Sequence, residues 1–138
     1  MTATQLEHAN IRTTRLEETV RFYTEVLGLR QGYRPSSRPG AWIYDRRDVP
    51  VIHISFADPS NPETSRYLDE YLGPRDLASL FGSGAIDHLA FAAEDYDGFC
   101  RHLQARGIEY RRRTTDAGLR QIFVLDPNGI SVELNFHE

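Results

Sequence analysis

Hydrophobic and polar residues alternate along several short segments of the chain, which is the pattern of strands with one buried face. In the segment 51–56, Ile52 and Ile54 have one parity and His53 the other. The same pattern predicts strands at residues 6–12, 41–44, 51–56, 86–91, 108–112, 121–125 and 130–136. Asp126-Pro-Asn-Gly129 is a strong turn signal between the last two strands, because Pro presets φ and Asn-Gly tolerates positive φ.

Two helices are predicted from apolar residues that recur at helical spacing. These positions are Leu16, Val20, Tyr23 and Leu27 in the first helix, and Tyr96, Phe99, Cys100 and Leu103 in the second. A glycine follows each stripe, Gly28 and Gly107, as a helix stop signal. Each helix follows a strand that contains a histidine, so the chain reads as one strand-and-helix unit repeated.

The repeat has a fixed offset in residue number. The offset from His8 to His88 (88 − 8 = 80) equals the offset from His53 to Glu133 (133 − 53 = 80). Each half is therefore expected to supply one residue near the start of its first strand and one in its last strand. We predict a first module at about 4–57, a linker or lid at about 58–84 that contains a short amphipathic helix, and a second module at about 85–138.

These four residues predict a site for one divalent metal ion. Glu133 lies in an apolar strand, where an unpaired carboxylate is costly to bury, and a cation would compensate its charge. Imidazole and carboxylate ligands suit Fe, Zn, Ni, Co or Mn, and usually leave positions for water and substrate. His53 is a fourth ligand, a general acid or base, or a wall residue. Candidate substrate contacts are Asn10, Arg12, Ser55, Arg120, Phe123 and Asn135.

Composition limits the function classes. The 138 residues are 40% hydrophobic and 26% charged with a net charge of −4, which is typical of one globular domain without a nucleic-acid-binding face. No signal peptide or membrane span is evident. Because Cys100 is the single cysteine, no internal disulfide forms, and a reducing cytoplasmic location is expected.

The chain resembles the vicinal oxygen chelate superfamily, which includes glyoxalase I, extradiol dioxygenases and bleomycin resistance proteins. The stretches that carry the resemblance are Leu6-Glu-His-Ala-Asn-Ile-Arg12, Thr19-Val-Arg-Phe-Tyr-Thr-Glu-Val-Leu-Gly28, Ile86-Asp-His-Leu-Ala-Phe91 and Phe123-Val-Leu-Asp-Pro-Asn-Gly-Ile-Ser-Val-Glu-Leu134. It implies an α+β fold in which two tandem βαβββ modules form a curved mixed sheet, a cup, with helices outside. It also implies a small-molecule substrate that chelates the metal through adjacent oxygens.

The resemblance leaves the reaction open. A dioxygenase of the extradiol type is slightly favoured, with Fe²⁺ on His8, His88 and Glu133 and with Zn²⁺, Ni²⁺, Mn²⁺ or Co²⁺ as alternatives. Phe123 departs from that type, which usually has tyrosine there. A glyoxalase-like lyase or an isomerase is the second hypothesis, although such enzymes commonly have Glu or Gln in place of His53. A non-catalytic binding protein is the third. The resemblance also implies a homodimer.

Overall fold

The computed structural model describes residues 1–137, and the chain divides into two compact units. Unit 1 is Met1–Leu80, and unit 2 begins at Phe81. Across the described residues, no helix has both the length and the apolar character needed to cross a bilayer.

Unit 1 contains a four-stranded mixed sheet with the order β1-β4-β3-β2. Its elements are β1 Ala9–Thr13, α1 Leu16–Arg21 with a π-helical extension Phe22–Val26, β2 Arg30–Gly32, β3 Gly40–Tyr44, β4 Ile52–Phe56, α2 Glu63–Leu72 and a 3₁₀ turn Leu77–Ser79. β1 is parallel to β4, and the other neighbours are antiparallel. The helix α2 falls in the segment for which the sequence predicted a short helix.

Unit 2 repeats this arrangement, with the sheet order β5-β8-β7-β6. Its elements are β5 Leu89–Ala93, α3 Tyr96–Ala105, β6 Tyr110–Thr114, β7 Arg120–Leu125 and β8 Ser131–Phe136. β5 is parallel to β8, and the remaining pairs are antiparallel.

Strand register reproduces the repeat. Ala9 pairs with Ile52 in unit 1, and Leu89 pairs with Val132 in unit 2. Both partners therefore shift by the same offset in residue number (89 − 9 = 80 and 132 − 52 = 80). The prediction of an α+β fold built from two tandem βαβββ modules is confirmed.

The apolar parity of each sheet is buried as the sequence predicted. In unit 1 the buried residues include Ile43, Ile52 and Ile54, each no more than 2% exposed. In unit 2 they include Ile122, Val132 and Leu134, within the same limit. Residues of the opposite parity, such as His53 and Glu133, therefore project from the other face of each sheet.

Two local expectations were wrong, and one strand, β2, was not predicted. The first strand of each module begins later than predicted, so His8 and His88 lie one residue before β1 and β5. The first helix buries Thr19, Phe22, Tyr23 and Val26 rather than the predicted stripe, of which only Tyr23 is fully buried. Its π-helical turn, in which the Leu27 N–H donates to the Phe22 carbonyl at 3.1 Å, contains an extra residue and rotates the face that follows. β2 gave no alternation signal.

Candidate metal-binding residues in each unit

In unit 1, three aromatic rings form a continuous stack around His53. Its imidazole lies 3.7 Å from the His8 ring, centroid to centroid, with an interplanar angle of 15°. Its other face lies 4.0 Å from the Trp42 ring, with an angle of 8°. Trp42 is the β3 partner of His53 in the sheet register, so strand pairing aligns these two rings.

The ring nitrogens of His53 have different environments. One N–H donates to the Pro50 carbonyl, whereas Nε2 is buried and has no hydrogen-bond partner anywhere in residues 1–137. The donor is therefore Nδ1, which leaves the Nε2 lone pair bare. Burial, with smaller contributions from the nearby charges of His8 and Arg34, lowers the pKa of His53 to about 4. His53 is thus neutral at pH 7.

In unit 2, His88 and Glu133 converge. His88 Nε2 lies 3.4 Å from Glu133 Oε2, while His88 Nδ1 lies 2.8 Å from Asp87 Oδ1. The hydrogen bond with Asp87 is the main cause that raises the pKa of His88, and the Glu133 charge adds to it. A carboxylate on the second nitrogen of a ligating histidine is the usual way proteins orient such a ring.

Glu133 also receives a hydrogen bond from its own strand. Asn135 Nδ2 donates to Glu133 Oε1 at 2.7 Å, and Gln121 Nε2 donates to Asn135 Oδ1 at 2.9 Å. Glu133 is half-buried, with its side chain 12% exposed. Both of its oxygens therefore have polar neighbours in unit 2.

The donor set in each unit fits a divalent cation. A bare buried imidazole nitrogen in unit 1, and an imidazole and a carboxylate that meet in unit 2, are the ligand types that transition metals prefer. Neither unit, over residues 1–137, brings together three or more His, Cys, Asp or Glu side chains in a group able to hold a metal by itself. Each unit therefore contributes a pair of candidate ligands.

A family model described as the Glyoxalase/Bleomycin resistance protein/Dioxygenase superfamily matches residues 5–134, a range that contains all four candidates. The chain belongs to this superfamily. Among similar proteins, the lactoylglutathione lyase of Schizosaccharomyces pombe is 21% identical over 97% of the chain, and glyoxylase I 4 of Arabidopsis thaliana is 27% identical over 95%.

The chain spans 48% of the length of the Schizosaccharomyces pombe relative and 70% of the Arabidopsis relative. A crystal structure of lactoylglutathione lyase from Agrobacterium tumefaciens has the same fold, with a TM-score of 0.64 at 20% identity, over 99% of this chain and 96% of that one. The two chains therefore share one fold.

Two arginines that were predicted to contact substrate interact with other side chains of this protein. Arg12 donates to Asp69 Oδ1 at 2.6 Å and to Ser65 Oγ at 2.8 Å, both on α2. The guanidinium of Arg120 lies 4.4 Å above the Tyr96 ring, on the helix side of its sheet. Neither guanidinium is therefore placed as a free anion-binding group.

The remaining predicted contacts lie on the same sheet faces as the candidate ligands. Ser55 Oγ donates to Asn10 Oδ1 at 3.1 Å, and Asn10 is the β1 partner of His53. Phe123 is the β7 partner of Glu133. Their role toward a substrate stays a prediction.

Sequence reasoning missed two residues that contact the candidate ligands. Trp42 stacks on His53, and its parity opposite to Ala41 and Ile43 was the signal that placed it on the polar face. Asp87 bonds to His88, and adjacency in sequence was the available signal.

Proposed function

We propose that this superfamily member is a metal-dependent lyase or isomerase that moves a proton on a small substrate. The substrate would bind a divalent cation through two oxygens on neighbouring carbons. Four side chains would hold the cation: His8 and His53 from unit 1, and His88 and Glu133 from unit 2. Both pairs, from one chain or from two copies, are required because either alone supplies two ligands.

The observation that carries the metal site is the bare Nε2 of His53. A buried nitrogen without a hydrogen-bond partner is unfavourable unless a ligand completes it. Because the pKa of His53 is lowered to about 4, no proton occupies that lone pair at neutral pH. The Pro50 carbonyl fixes the tautomer that presents Nε2, as partners of ligating histidines usually do.

Lyase chemistry is favoured over oxygenase chemistry by the relatives. Two curated proteins whose names describe lactoylglutathione lyase or glyoxylase I match nearly the whole chain. The lactoyl group bears hydroxyl and carbonyl oxygens on adjacent carbons, which is the chelating pattern expected for this site. When bound, a divalent cation polarises such oxygens and makes the neighbouring C–H more acidic.

Two residues of this chain could accept that proton. His53 is a neutral base with an unprotonated Nε2, and Glu133 is a carboxylate held in place by Asn135. We assign the proton transfer to His53, since Glu133 Oε2 already faces His88. His53 would then be a ligand only until it accepts the proton, whereas His8, His88 and Glu133 would hold the cation throughout.

Metal content tests the site directly. Protein purified without chelators should contain close to one divalent ion per site, which elemental analysis would identify. Glu133→Gln should lower the affinity by more than about 100-fold, because it removes a ligand and not only a neighbour of one. His137→Gln, an exposed histidine outside the site, is the matched control. Wild-type protein that binds no divalent metal under any condition would refute the proposal.

Turnover separates the reaction classes. Interconversion of S-lactoylglutathione with methylglyoxal and glutathione is the first assay, and it should require added metal. His53→Gln should abolish turnover but retain most metal if His53 moves the proton, because His8, His88 and Glu133 remain. Loss of both turnover and metal would mean that His53 acts as a ligand and not as the base.

Extradiol oxygenase chemistry is the second candidate, because two histidines with one carboxylate is the ligand set of non-haem Fe(II) oxygenases. Phe123 disfavours it, since this partner of Glu133 lacks the hydroxyl group of a tyrosine. Oxygen uptake with catechol and Fe²⁺, in the absence of lyase activity, would establish the oxygenase instead. Binding of S-lactoylglutathione or of catechol without turnover would favour a protein that only sequesters its ligand.

A further inference from the structure

The structure of unit 2 contains a hydrogen-bonded row that ends on Glu133. From the far end, Gln121 donates to Asn135 at 2.9 Å, and Asn135 donates to Glu133 at 2.7 Å. Strand pairing sets this row, because Gln121 on β7 is the register partner of Asn135 on β8. Gln121 is 6% exposed, so the row begins inside the protein.

The direction of the row follows from hydrogen-bond chemistry. A carboxylate only accepts hydrogen bonds, so Asn135 must turn Nδ2 toward Glu133. The Asn135 Oδ1 then faces Gln121, so the Gln121 side chain must donate its Nε2 hydrogen to it. Each amide is therefore fixed in one of its two orientations, and this orientation leaves Gln121 Oε1 buried without a partner in residues 1–137.

We propose that Gln121 and Asn135 are positioning residues that hold Glu133 ready to bind the cation. Asn135 fixes Oε1 of the carboxylate, so that Oε2 is presented beside His88 Nε2 at 3.4 Å. Gln121 acts through Asn135, because its donor prevents the Asn135 amide from turning its oxygen toward Glu133. This inference rests on the proposed metal site.

The first unit shows that this row is not a general feature of the fold. Ser55 occupies the position equivalent to Asn135 (135 − 55 = 80), yet its hydroxyl donates to Asn10 and not to His53. A carboxylate has two oxygens that accept hydrogen bonds, whereas the neutral His53 imidazole has a single acceptor nitrogen, which the proposed cation would occupy. The row therefore accompanies the candidate ligand with more acceptor sites to satisfy.

Two variants test the row. Gln121→Met removes the distant donor without adding charge, and Asn135→Leu removes the donor that contacts Glu133. Each should weaken Co²⁺ binding by roughly 10–100-fold in calorimetric titration, the range found for residues that orient metal ligands. Gln31→Met, at an exposed strand position in unit 1, should leave Co²⁺ affinity unchanged.

Non-additivity distinguishes positioning from a purely structural role. If Gln121 acts through Asn135, the double variant should bind Co²⁺ no more weakly than Asn135→Leu alone. Independent losses that multiply would overturn the proposal. Lower stability in denaturant with unchanged Co²⁺ affinity would overturn it as well.

A measurement on metal-free protein separates this inference from the proposed function. Solvent exchange of the Asn135 side-chain amide, followed by NMR, should accelerate at least about tenfold in Gln121→Met, because hydrogen-bonded amide groups are protected until they open. No acceleration would overturn the row even if metal binds. Wild-type protein that fails to bind Co²⁺ would instead refute the metal site and with it the role assigned here.

Discussion

The two units place different side chains at one equivalent strand position and surround them differently. His53 lies between two aromatic rings, with one nitrogen bonded to a carbonyl and the other bare. Glu133, at the equivalent position of unit 2, is contacted by an amide donor and an imidazole. Register determines where a functional residue projects, and the chemistry of that residue determines which neighbours it needs.

The neighbouring strand shows the same divergence. Asn10 stands beside His53 in β1, whereas its equivalent beside Glu133 is Ala90 (90 − 10 = 80). Ser55 on β4 therefore has a polar partner on β1, the side chain of Asn10, whereas the alanine at the equivalent position of β5 offers none to Asn135. The Asn135 amide is directed along its own strand to Glu133, two residues away.

The first test, with the largest expected effect, asks whether the buried faces of the two sheets contribute equally to the free energy of unfolding. Ile54 and Leu134 occupy equivalent positions of the repeat, and each is no more than 2% exposed. Ile54→Ala and Leu134→Ala should each lower the free energy of unfolding by about 3 kcal/mol, measured by urea denaturation. Leu125→Ala, at a side chain 64% exposed, should cost less than about 0.5 kcal/mol. A large cost in one unit alone would contradict equal packing.

Much of the fold was predictable because its signals are local. Alternation at Ile52 and Ile54 is a property of one short stretch, and the offset of 80 residues from His8 to His88 compares two such stretches (88 − 8 = 80). β2 was missed because three residues, Arg30–Gly32, show no period and form a strand only by pairing with β3. The π-helical turn was missed because helical spacing assumes about 3.6 residues per turn throughout.

The candidate site was predictable in its residues but not in their partners. His53 and Glu133 follow from parity and from the repeat. The hydrogen bond from Arg12 to Asp69 could not be predicted from the sequence, because it joins residues 57 positions apart and depends on where α2 packs. Contacts of that kind follow from tertiary structure and leave no spacing rule in the sequence.

The Arg12–Asp69 pair is the second test, because unit 2 has no counterpart to it: Ala92 stands at the position equivalent to Arg12 (92 − 12 = 80). The Arg12 side chain is 10% exposed, and that of Asp69 is 30% exposed. Arg12→Met should cost about 2 kcal/mol in thermal or urea unfolding, since it leaves a half-buried carboxylate without its donor.

A comparison residue in unit 2 calibrates this value. Arg120→Met removes a guanidinium stacked on Tyr96 and should cost about 0.5–1 kcal/mol. If Arg12→Met costs no more than Arg120→Met, the ion pair with α2 contributes little beyond ordinary packing.

The third test uses the pH dependence of metal-free protein. The pKa of His53 falls from 6.5 to about 4 on folding, so the unfolded chain binds a proton more readily. This contribution to stability is present above pH 6.5 and is lost as pH falls toward 4. Because His53 is half-buried, the loss should be about 1–2 kcal/mol, less than the full linkage value. Urea unfolding across that pH range measures it.

His53→Phe is the matching variant, since it keeps an aromatic ring next to Trp42 and cannot titrate. Its stability should decline less than that of the wild type over the same interval. Parallel curves for the two proteins would mean that His53 titrates normally when folded.

The smallest effect concerns His88, whose pKa shifts in the opposite direction. Asp87 is the main cause that raises the pKa of His88, so Asp87→Asn should return it toward 6.5 in an NMR titration of the ring protons. The associated stability is present below pH 6.5 and is lost as pH rises through the folded pKa, the reverse of His53. Asp116→Asn, at an exposed position of the same unit, should leave the His88 pKa in place. If Asp87→Asn also leaves it in place, Glu133 raises the pKa. The carboxylate that orients His88 would then be its partner in the proposed metal site, and the two candidate ligands of unit 2 would be coupled before any cation binds.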